Sequence, residues 1–377
     1  MPSLLPNVDP DGLLEYSVVY TDRSVNHMSK RFQGAMREIS RILKKAYNAH
    51  SAIIVPGSGT FGMEAIARQF AREKRCLIVR NGLFSFRWSQ ILEMGNIPSS
   101  ITVLKAKRTS DAPESPFMPV PAEEAATSIK RENIELVFAP HVETSSGILL
   151  PDAYIKTLAE AVHSVGGLLV LDCVASGAIW VDMVALGVDI LVTAPQKGWC
   201  GPPCCAMVCL GTEAHSRIAA TQSSSFACDL KKWLEIMETY EQGRHAYHAT
   251  PPTDSLIALS TVMAEMESFG FGKAKDAQAE LGRRVRGIVA QKGFPSVAAP
   301  GFEAPGVVVS YTKDPGIQSG KKFLDLGMQV ASGVPLKCDE PADFMTFRVG
   351  LFGLDKIGNI ERTVSSFEKT LDLVLKA

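Results

Sequence analysis

The chain has almost no net charge and no long run of apolar residues. Its 377 residues include 39 Lys and Arg against 40 Asp and Glu, a formal net charge of −1, so the charge does not favour a nucleic-acid or anionic-membrane partner. No apolar run approaches the roughly 20 residues of a transmembrane helix. Residues 1–16 also lack the basic and apolar segments of a secretory signal. We therefore expect a cytoplasmic protein that binds neither nucleic acid nor membrane.

Cysteine is also sparse. Eight cysteines in 377 residues are too few for a disulfide scaffold, so we expect the thiols to be reduced. Four of them cluster at Cys200, Cys204, Cys205 and Cys209. A zinc site is the alternative, but the cluster lacks the paired CxxC spacing of zinc-binding motifs. We predict a loop of small residues there, followed by a strand at 205–210, and no metal site.

The chain does have a regular alternation of apolar segments. Hydrophobic residues make up 46% and charged residues 21% of the sequence, which is typical of soluble globular proteins. Short apolar runs at 52–55, 134–139, 168–172 and 188–193 alternate with segments of helical period. Strands that alternate with helices indicate an α/β fold, with a mostly parallel sheet covered by helices on both faces.

The predicted organisation has three parts. Residues 1–30 form an N-terminal arm, residues 31–260 a large domain, and residues 261–377 a smaller C-terminal α/β domain. The segment 211–250 is predicted to be irregular apart from a charged helix near 229–241. The chain is predicted to end in a helix over 356–375.

Asp172 and Lys197 are the most informative residues. Asp172 ends the apolar run 168–172, and Lys197 follows the run 188–193 in a short loop. Ligands of open α/β sheets bind beyond the carboxyl ends of the strands, so these two side chains can face one crevice. A pyridoxal phosphate enzyme needs such a pair, because the amine binds the cofactor and the carboxylate keeps the ring nitrogen protonated.

Three further loops follow predicted strands. GSGT at 57–60 precedes a helix, so its backbone N–H groups and hydroxyls can face an anion. NGLFSFRW at 81–88 includes Phe84, which can stack on a flat ring. PHVETSSG at 140–147 carries short polar side chains, which are common in ligand-binding loops. Each loop alone is a weak signal.

Taken in order, these stretches resemble the class V aminotransferases of the type I pyridoxal phosphate fold. That family reads GSGH, NGxWGxR, HxESSTG, VDxVSS, SQKxLxxPPG, YHHT and RIGLLG. This chain has GSGT, NGLFSFR, HVETSSG, LDCVAS, PQKGWCGPP, YHAT and RVGLFG between residues 57 and 353. The pattern is most similar to alanine–glyoxylate and serine–pyruvate transaminases. The resemblance implies a large domain with a mostly parallel sheet, a smaller C-terminal α/β domain, and pyridoxal 5'-phosphate as cofactor.

The resemblance also implies a role for each matching residue. Lys197 is the Schiff-base lysine, Asp172 pairs with the pyridine nitrogen, and Arg348 grips the substrate carboxylate. The residues implied to hold the rest of the cofactor are Ser58, Gly59, Thr60 and Gln196 at the phosphate, Phe84 stacked on the ring, and Ser145 at the phenolic oxygen. Tyr247 and Thr250 match residues that reach the phosphate of the partner subunit, so a homodimer with shared active sites is implied.

The implied activity is transfer of an amino group from a small amino acid to a 2-oxo acid such as glyoxylate or pyruvate. A lyase, a cysteine desulfurase or a racemase of the same fold is the alternative. Desulfurases generally have His over the ring and a mobile late cysteine, whereas this chain has Phe84 and only Cys338. A non-catalytic relative and a nucleotide-binding protein that uses GSGT for a diphosphate are the rivals outside this chemistry. Segment 20–29 replaces the family's Gly-Pro loop at the substrate pocket, which leaves the substrate open.

Overall fold

A computed structural model describes residues 14–376. The helices are α1 (Lys30–Tyr47), α2 (Gly59–Phe70), α3 (Leu83–Met94), α4 (Ala122–Glu132), α5 (Asp152–His163), α6 (Met183–Leu186), α7 (Thr212–Ile218), α8 (Leu230–Glu241), α9 (Thr253–Phe269), α10 (Phe271–Gln291), α11 (Pro315–Gln318), α12 (Lys321–Leu324), α13 (Leu354–Ile357) and α14 (Ile360–Val374). The strands are β1 (Ser51–Pro56), β2 (Arg75–Arg80), β3 (Ser100–Lys105), β4 (Lys107–Arg108), β5 (Phe117–Met118), β6 (Leu136–Pro140), β7 (Val142–Glu143), β8 (Ile148–Leu149), β9 (Leu168–Asp172), β10 (Ile190–Thr193), β11 (Cys205–Leu210), β12 (Val307–Tyr311), β13 (Ala331–Ser332) and β14 (Thr346–Gly350).

The main sheet has seven strands in the order β1-β11-β10-β9-β6-β2-β3. The pairs from β10 through β9, β6 and β2 to β3 are parallel, whereas β11 is antiparallel to both β1 and β10. Strands β6, β9 and β10 are buried along their whole length. A strand that is covered on both faces has a continuous apolar run in its sequence. For this reason the apolar runs of the sequence predicted β6, β9 and β10.

The register brings three strand ends together. Asp172, the last residue of β9, lies opposite Val192 of β10 and opposite Pro140 of β6. The loops that leave these strands therefore start at one edge of the sheet.

A second, three-stranded sheet lies in the C-terminal part of the chain. Its order is β12-β14-β13, and both pairings are antiparallel. Arg348 occupies the middle strand β14, opposite Val309 of β12 and Ala331 of β13. Helices α10 and α14 pack on one another in the same part of the chain.

The described part of the predicted arm contacts the start of α9. The hydroxyl of Tyr20 donates to the carbonyl oxygen of Pro251 at 3.2 Å, and the N–H of Val25 donates to the carboxylate of Asp254 at 3.2 Å. Residues 1–13 of the arm lie outside the described residues. The predicted boundary between residues 260 and 261 falls inside α9, so the proposed limits of the large and small domains stay a prediction.

Three sequence predictions differ from the structure. Helix α10 was not predicted, and α7 interrupts the segment 211–250 that was expected to be irregular outside the charged helix. The terminal helix begins at Ile360 rather than at 356, because the short helix α13 ends at Ile357 with Gly358 as its C-cap. The Asn359 side chain caps the new helix by accepting from the N–H of Arg362. No helix among residues 14–376 is both long and apolar enough to cross a membrane.

Gly62 tests how closely α2 packs on the sheet. A Cβ atom at Gly62 would lie 2.4 Å from the Cβ of Ala206 and 3.0 Å from Cγ2 of Val192. Replacement of a helix-interior glycine by alanine adds up to about 1 kcal/mol of stability, but overpacking a core costs about 1–3 kcal/mol. We expect Gly62→Ala to lower the thermal unfolding midpoint. Gly287→Ala in α10, where nothing lies within 4 Å of the added Cβ, is the matched control and should raise it; equal shifts in the two variants would contradict the packing.

Candidate active site

A cavity lies beyond the carboxyl ends of the parallel strands, where ligands of such sheets bind. Its volume is about 180 Å³. Three charged side chains line it, namely Arg87, Asp172 and Lys197. The other lining residues are Ser58, Gly59, Thr60, Met63, Phe84, Val142, Thr144, Val174, Ala175 and Gln196.

Asp172 and Lys197 face this cavity from neighbouring strand ends. Asp172 ends β9, and its Oδ1 accepts a hydrogen bond from the N–H of Val174 at 3.0 Å. Lys197 lies in the turn that follows β10. A Cβ atom at the next residue, Gly198, would lie 2.1 Å from the carbonyl oxygen of Gly177, so a glycine is needed for this turn to approach the backbone after β9.

Burial opposes the charge on both groups. It raises the pKa of Asp172 to about 6, against the lowering effect of the Val174 N–H and of the Lys197 ammonium. Burial also lowers the pKa of Lys197, while the carboxylates of Asp172 and Glu143 raise it. An amine whose neutral form is favoured, beside a buried carboxyl group, is suited to both nucleophilic attack and proton transfer.

The first turn of α2 forms a second wall of the cavity. Ser58 is the N-cap residue, yet its hydroxyl makes no capping hydrogen bond, and the first turn has no acidic residue. A Cβ atom at Gly59 would lie 2.9 Å from Cγ2 of Val174, so glycine lets the helix start approach β9. A helix N-terminus with free donors favours an anion.

Phe84 lies among the cationic side chains of the site. Its ring centroid is 5.8 Å from Nζ of Lys197 and 5.3 Å from Cζ of Arg87. Cζ of Arg348, from the three-stranded sheet, also lies 5.8 Å from this centroid. The structure thus brings the predicted ring-stacking residue, the predicted lysine and the predicted carboxylate-binding arginine together.

Arg348 is partly buried and keeps its donors available. Its Nε donates to the carbonyl oxygen of Ser332 at 2.8 Å. Burial lowers its pKa, and the carboxylate of Glu143 raises it. A guanidinium stays protonated in proteins, so the terminal nitrogens can bind a carboxylate as a fork.

Glu143 holds the turn that carries Phe84. Its fully buried carboxylate accepts five hydrogen bonds, from the N–H groups of Phe84, Ser85 and Ser145 and from the hydroxyls of Ser85 and Ser145. A Cβ atom at Gly82 would lie 2.7 Å from Cγ of Glu143, so this turn tolerates only glycine there. Five donors on one carboxylate fix the start of α3 against the loop 140–147.

The structure does not bring Ser145 into the cavity. Its hydroxyl donates to Glu143 at 2.7 Å and accepts from the N–H of Leu83 at 2.9 Å, and the side chain is fully buried. Thr144 lines the cavity instead. The polar loop 140–147 therefore serves mainly as an internal hydrogen-bonding network, because most of its polar side chains bond within the protein.

Tyr247 and Thr250 lie outside the cavity and at the protein surface. The Tyr247 side chain is 53% exposed, and its hydroxyl is 2.8 Å from Oγ1 of Thr250. Their predicted contact with a partner subunit needs such exposure and remains a prediction.

Sequence reasoning missed three residues of the site: Arg87, Glu143 and Thr144. Arg87 and Glu143 stand in the quoted motifs NGLFSFR and HVETSSG, so position within a motif was the available signal. Thr144 could not be chosen over Ser145 without knowledge of the backbone direction.

The donor set of the cavity fits pyridoxal phosphate. An amine and a carboxyl group lie at adjacent strand ends, Phe84 presents a ring, and the start of α2 offers N–H groups and hydroxyls without an acidic neighbour. Gly59 and Gly198 are both positions at which a Cβ would meet neighbouring atoms, so the walls that carry these groups are closely packed.

Comparison with known proteins agrees with this chemistry. The chain is 26% identical over 275 residues to alanine–glyoxylate aminotransferase 1 of Saccharomyces cerevisiae, covering 68% of each protein. It is 27% identical over 330 residues to 2-aminoethylphosphonate–pyruvate transaminase of Pseudomonas aeruginosa, covering 86% of this chain and 83% of that protein. The solved alanine–glyoxylate aminotransferase from Nostoc sp. matches with a TM-score of 0.78 and 21% identity, over 93% of this chain and 89% of that one.

These matches confirm the predicted type I fold and pyridoxal phosphate as the cofactor. The class-V aminotransferase family matches residues 11–333, most of the chain. The protein is therefore a member of the class-V aminotransferase family.

Proposed function

We propose that the protein is a transaminase that moves an amino group from a small amino donor to a 2-oxo acid such as glyoxylate or pyruvate. The observation that carries the proposal is the Asp172–Lys197 pair in one cavity with the start of α2. The names of the relatives support both acceptors, since one is an alanine–glyoxylate and another a phosphonate–pyruvate enzyme.

Lys197 is the proton carrier in this proposal. Its Nζ is the only amine among the described residues that line the cavity, and burial favours its neutral form by lowering the pKa. A neutral amine can take the proton from Cα of the substrate. When bound, the cofactor ring supplies an electron sink for the charge that develops at that carbon.

Asp172 and Arg348 have supporting roles in that proton transfer. The carboxylate of Asp172 stabilises positive charge on a ring nitrogen, and the guanidinium of Arg348 fixes the substrate carboxylate. Ser58, Gly59, Thr60 and Gln196 are proposed to hold the phosphate group, and Phe84 to stack on the ring. Thr144 replaces Ser145 in our proposal as the residue near the ring oxygen, because it lines the cavity.

A cysteine desulfurase is disfavoured by Cys338. This late cysteine is 4% exposed, its thiol donates to the carbonyl oxygen of Arg80 at 3.4 Å, and burial raises its pKa to about 12. A buried thiol with a raised pKa is a poor nucleophile. A racemase needs the same lysine and differs only in returning the proton to the same Cα.

A homodimer accompanies the proposal. Tyr247 and Thr250 are exposed and hydrogen-bonded to each other, and neither lines the cavity of its own chain. Exposed apolar side chains also occur in the arm, where Tyr16 is 88% exposed. A second copy of the chain would cover such residues.

The visible absorption spectrum tests the function. We expect purified protein to show a yellow, lysine-linked cofactor band that alanine, serine or 2-aminoethylphosphonate bleaches and a 2-oxo acid restores. Lys197→Ala and the charge-retaining control Lys197→Arg should lose both the band and turnover, because neither side chain can form the linkage. A band that none of these three donors bleaches would shift the assignment to a lyase or to another amino donor. Turnover in either variant would remove Lys197 from the chemistry.

The pKa of Asp172 predicts a pH dependence of cofactor binding. At a pH below about 6, the carboxyl group of the free protein is protonated and must lose its proton before it can pair with a protonated ring nitrogen. Affinity for pyridoxal phosphate should therefore fall by up to about tenfold for each pH unit below the transition. Absorbance titrations of wild type and Asp172→Asn at several pH values check this. An equal pH slope in the two proteins would assign the titration to another group.

Mixed dimers test the partner contribution. One subunit carries Lys197→Ala, and the other carries Tyr247→Phe with Thr250→Val. If Tyr247 and Thr250 serve the partner's cavity, each mixed dimer holds one intact site, and an equal random mixture regains about a quarter of wild-type activity. If they serve their own cavity, no mixed dimer has an intact site and activity stays at the level of the parent variants.

A further inference from the structure

Arg87 is the one charged lining residue to which the proposed function gives no role. It follows Phe84 by three positions in α3, so the two side chains lie on the same helix face. Its Nη1 donates to Oγ1 of Thr60 at 2.9 Å, and its Cζ lies 5.3 Å from the Phe84 ring centroid. Arg87 thereby joins the start of α3 to the start of α2.

Arg87 has no carboxylate partner among residues 14–376, where every ion pair found joins other side chains. The two buried carboxyl groups of the site are already engaged. Glu143 accepts five hydrogen bonds from the 81–85 turn and Ser145, and Asp172 accepts from Val174 beside Lys197. The charge of Arg87 lowers the pKa of Asp172, but no carboxylate of the described residues bonds to the guanidinium directly. A guanidinium in a cavity without a directly bonded carboxylate favours an anion there.

We propose that Arg87 supplies the positive charge that binds the phosphate group of the cofactor, with Thr60 holding the guanidinium in position. The inference rests on the proposed function for the identity of that cofactor. A guanidinium has five N–H donors in a rigid fork. The single bond to Thr60 leaves the remaining donors for phosphate oxygens, and Thr60 belongs to the helix start that offers N–H groups to the same anion.

The two arginines near Phe84 have different surroundings, which separates their roles. Arg87 donates a hydrogen bond to Thr60 in the first turn of α2, which packs on the large sheet. Arg348 donates a hydrogen bond to Ser332 in the three-stranded sheet. An anion at the start of α2 meets Arg87, whereas the substrate carboxylate is left to Arg348. Arg348 is therefore a matched control: a second guanidinium within 6 Å of the same ring.

Pyridoxal, which lacks the phosphate, separates this role from a general structural one. Cofactor-free wild type, Arg87→Gln and Arg87→Lys are titrated with pyridoxal phosphate and with pyridoxal, and binding is followed by absorbance. We expect Arg87→Gln to weaken pyridoxal phosphate binding about 10- to 100-fold, the usual size of a lost charged hydrogen bond, and to leave pyridoxal binding nearly unchanged. Arg87→Lys should show a smaller loss of the same selectivity, because it keeps the charge and loses the fork.

Arg348→Gln is the control for the Arg87 variants. Arg348→Gln should leave the ratio of the two affinities at its wild-type value. The inference would be overturned if the Arg87 variants weakened the binding of pyridoxal phosphate and of pyridoxal equally. It would also be overturned if the ratio of the two affinities stayed unchanged and KM rose only for donors that carry a second acidic group. If Arg87→Gln does not fold, Arg87→Lys and a competition experiment decide. In the competition experiment, inorganic phosphate should compete with pyridoxal phosphate and not with pyridoxal for binding to wild type. Failure of wild type to form the lysine-linked band would instead contradict the proposed function.

Discussion

The burial of Asp172 and Lys197 in one cavity is the constraint on which the rest of the site depends. Neither charge is favoured by its surroundings, as the raised pKa of the acid and the lowered pKa of the amine indicate. Burying two such groups destabilises a fold unless each finds a partner. Parallel pairing of β9 with β10 keeps them at one edge, and the close contact of Gly198 with Gly177 holds the lysine turn against that edge.

Around this pair, the protein uses buried polar groups to fix geometry. Glu143 joins the turn before α3 to the loop after β6, and Arg87 joins α3 to α2. Satisfied buried networks of this kind hold backbone segments in one arrangement. The cost of burying the Glu143 carboxylate is thus offset by five donors, and Phe84 keeps one position relative to Lys197.

Most of the fold could be predicted from the sequence, because buried parallel strands are continuous apolar runs that end in polar residues. The run 168–172 coincides with β9, and the segment 205–210 with β11. The antiparallel direction of β11 could not be predicted, since an apolar run reads alike in both directions. Helix α10 was missed because its buried face includes Ala274, Gln278 and Gly282, which give a weak apolar period. Within the site, pattern identified Asp172 and Lys197, but the choice of Thr144 over Ser145 depends on how the loop turns.

Arg348 lies on the middle strand of the small sheet, and this position limits insertions and deletions in the segment that precedes β14. Side chains alternate between the two faces of a strand, and Arg348 is fixed opposite Val309 and Ala331. A one-residue insertion or deletion that shifts β14 by one position would turn the guanidinium to the other face. If Arg348 binds the substrate carboxylate as proposed, that role constrains the spacing of the segment 312–345. We then expect length variation there only where the register of β14 is preserved.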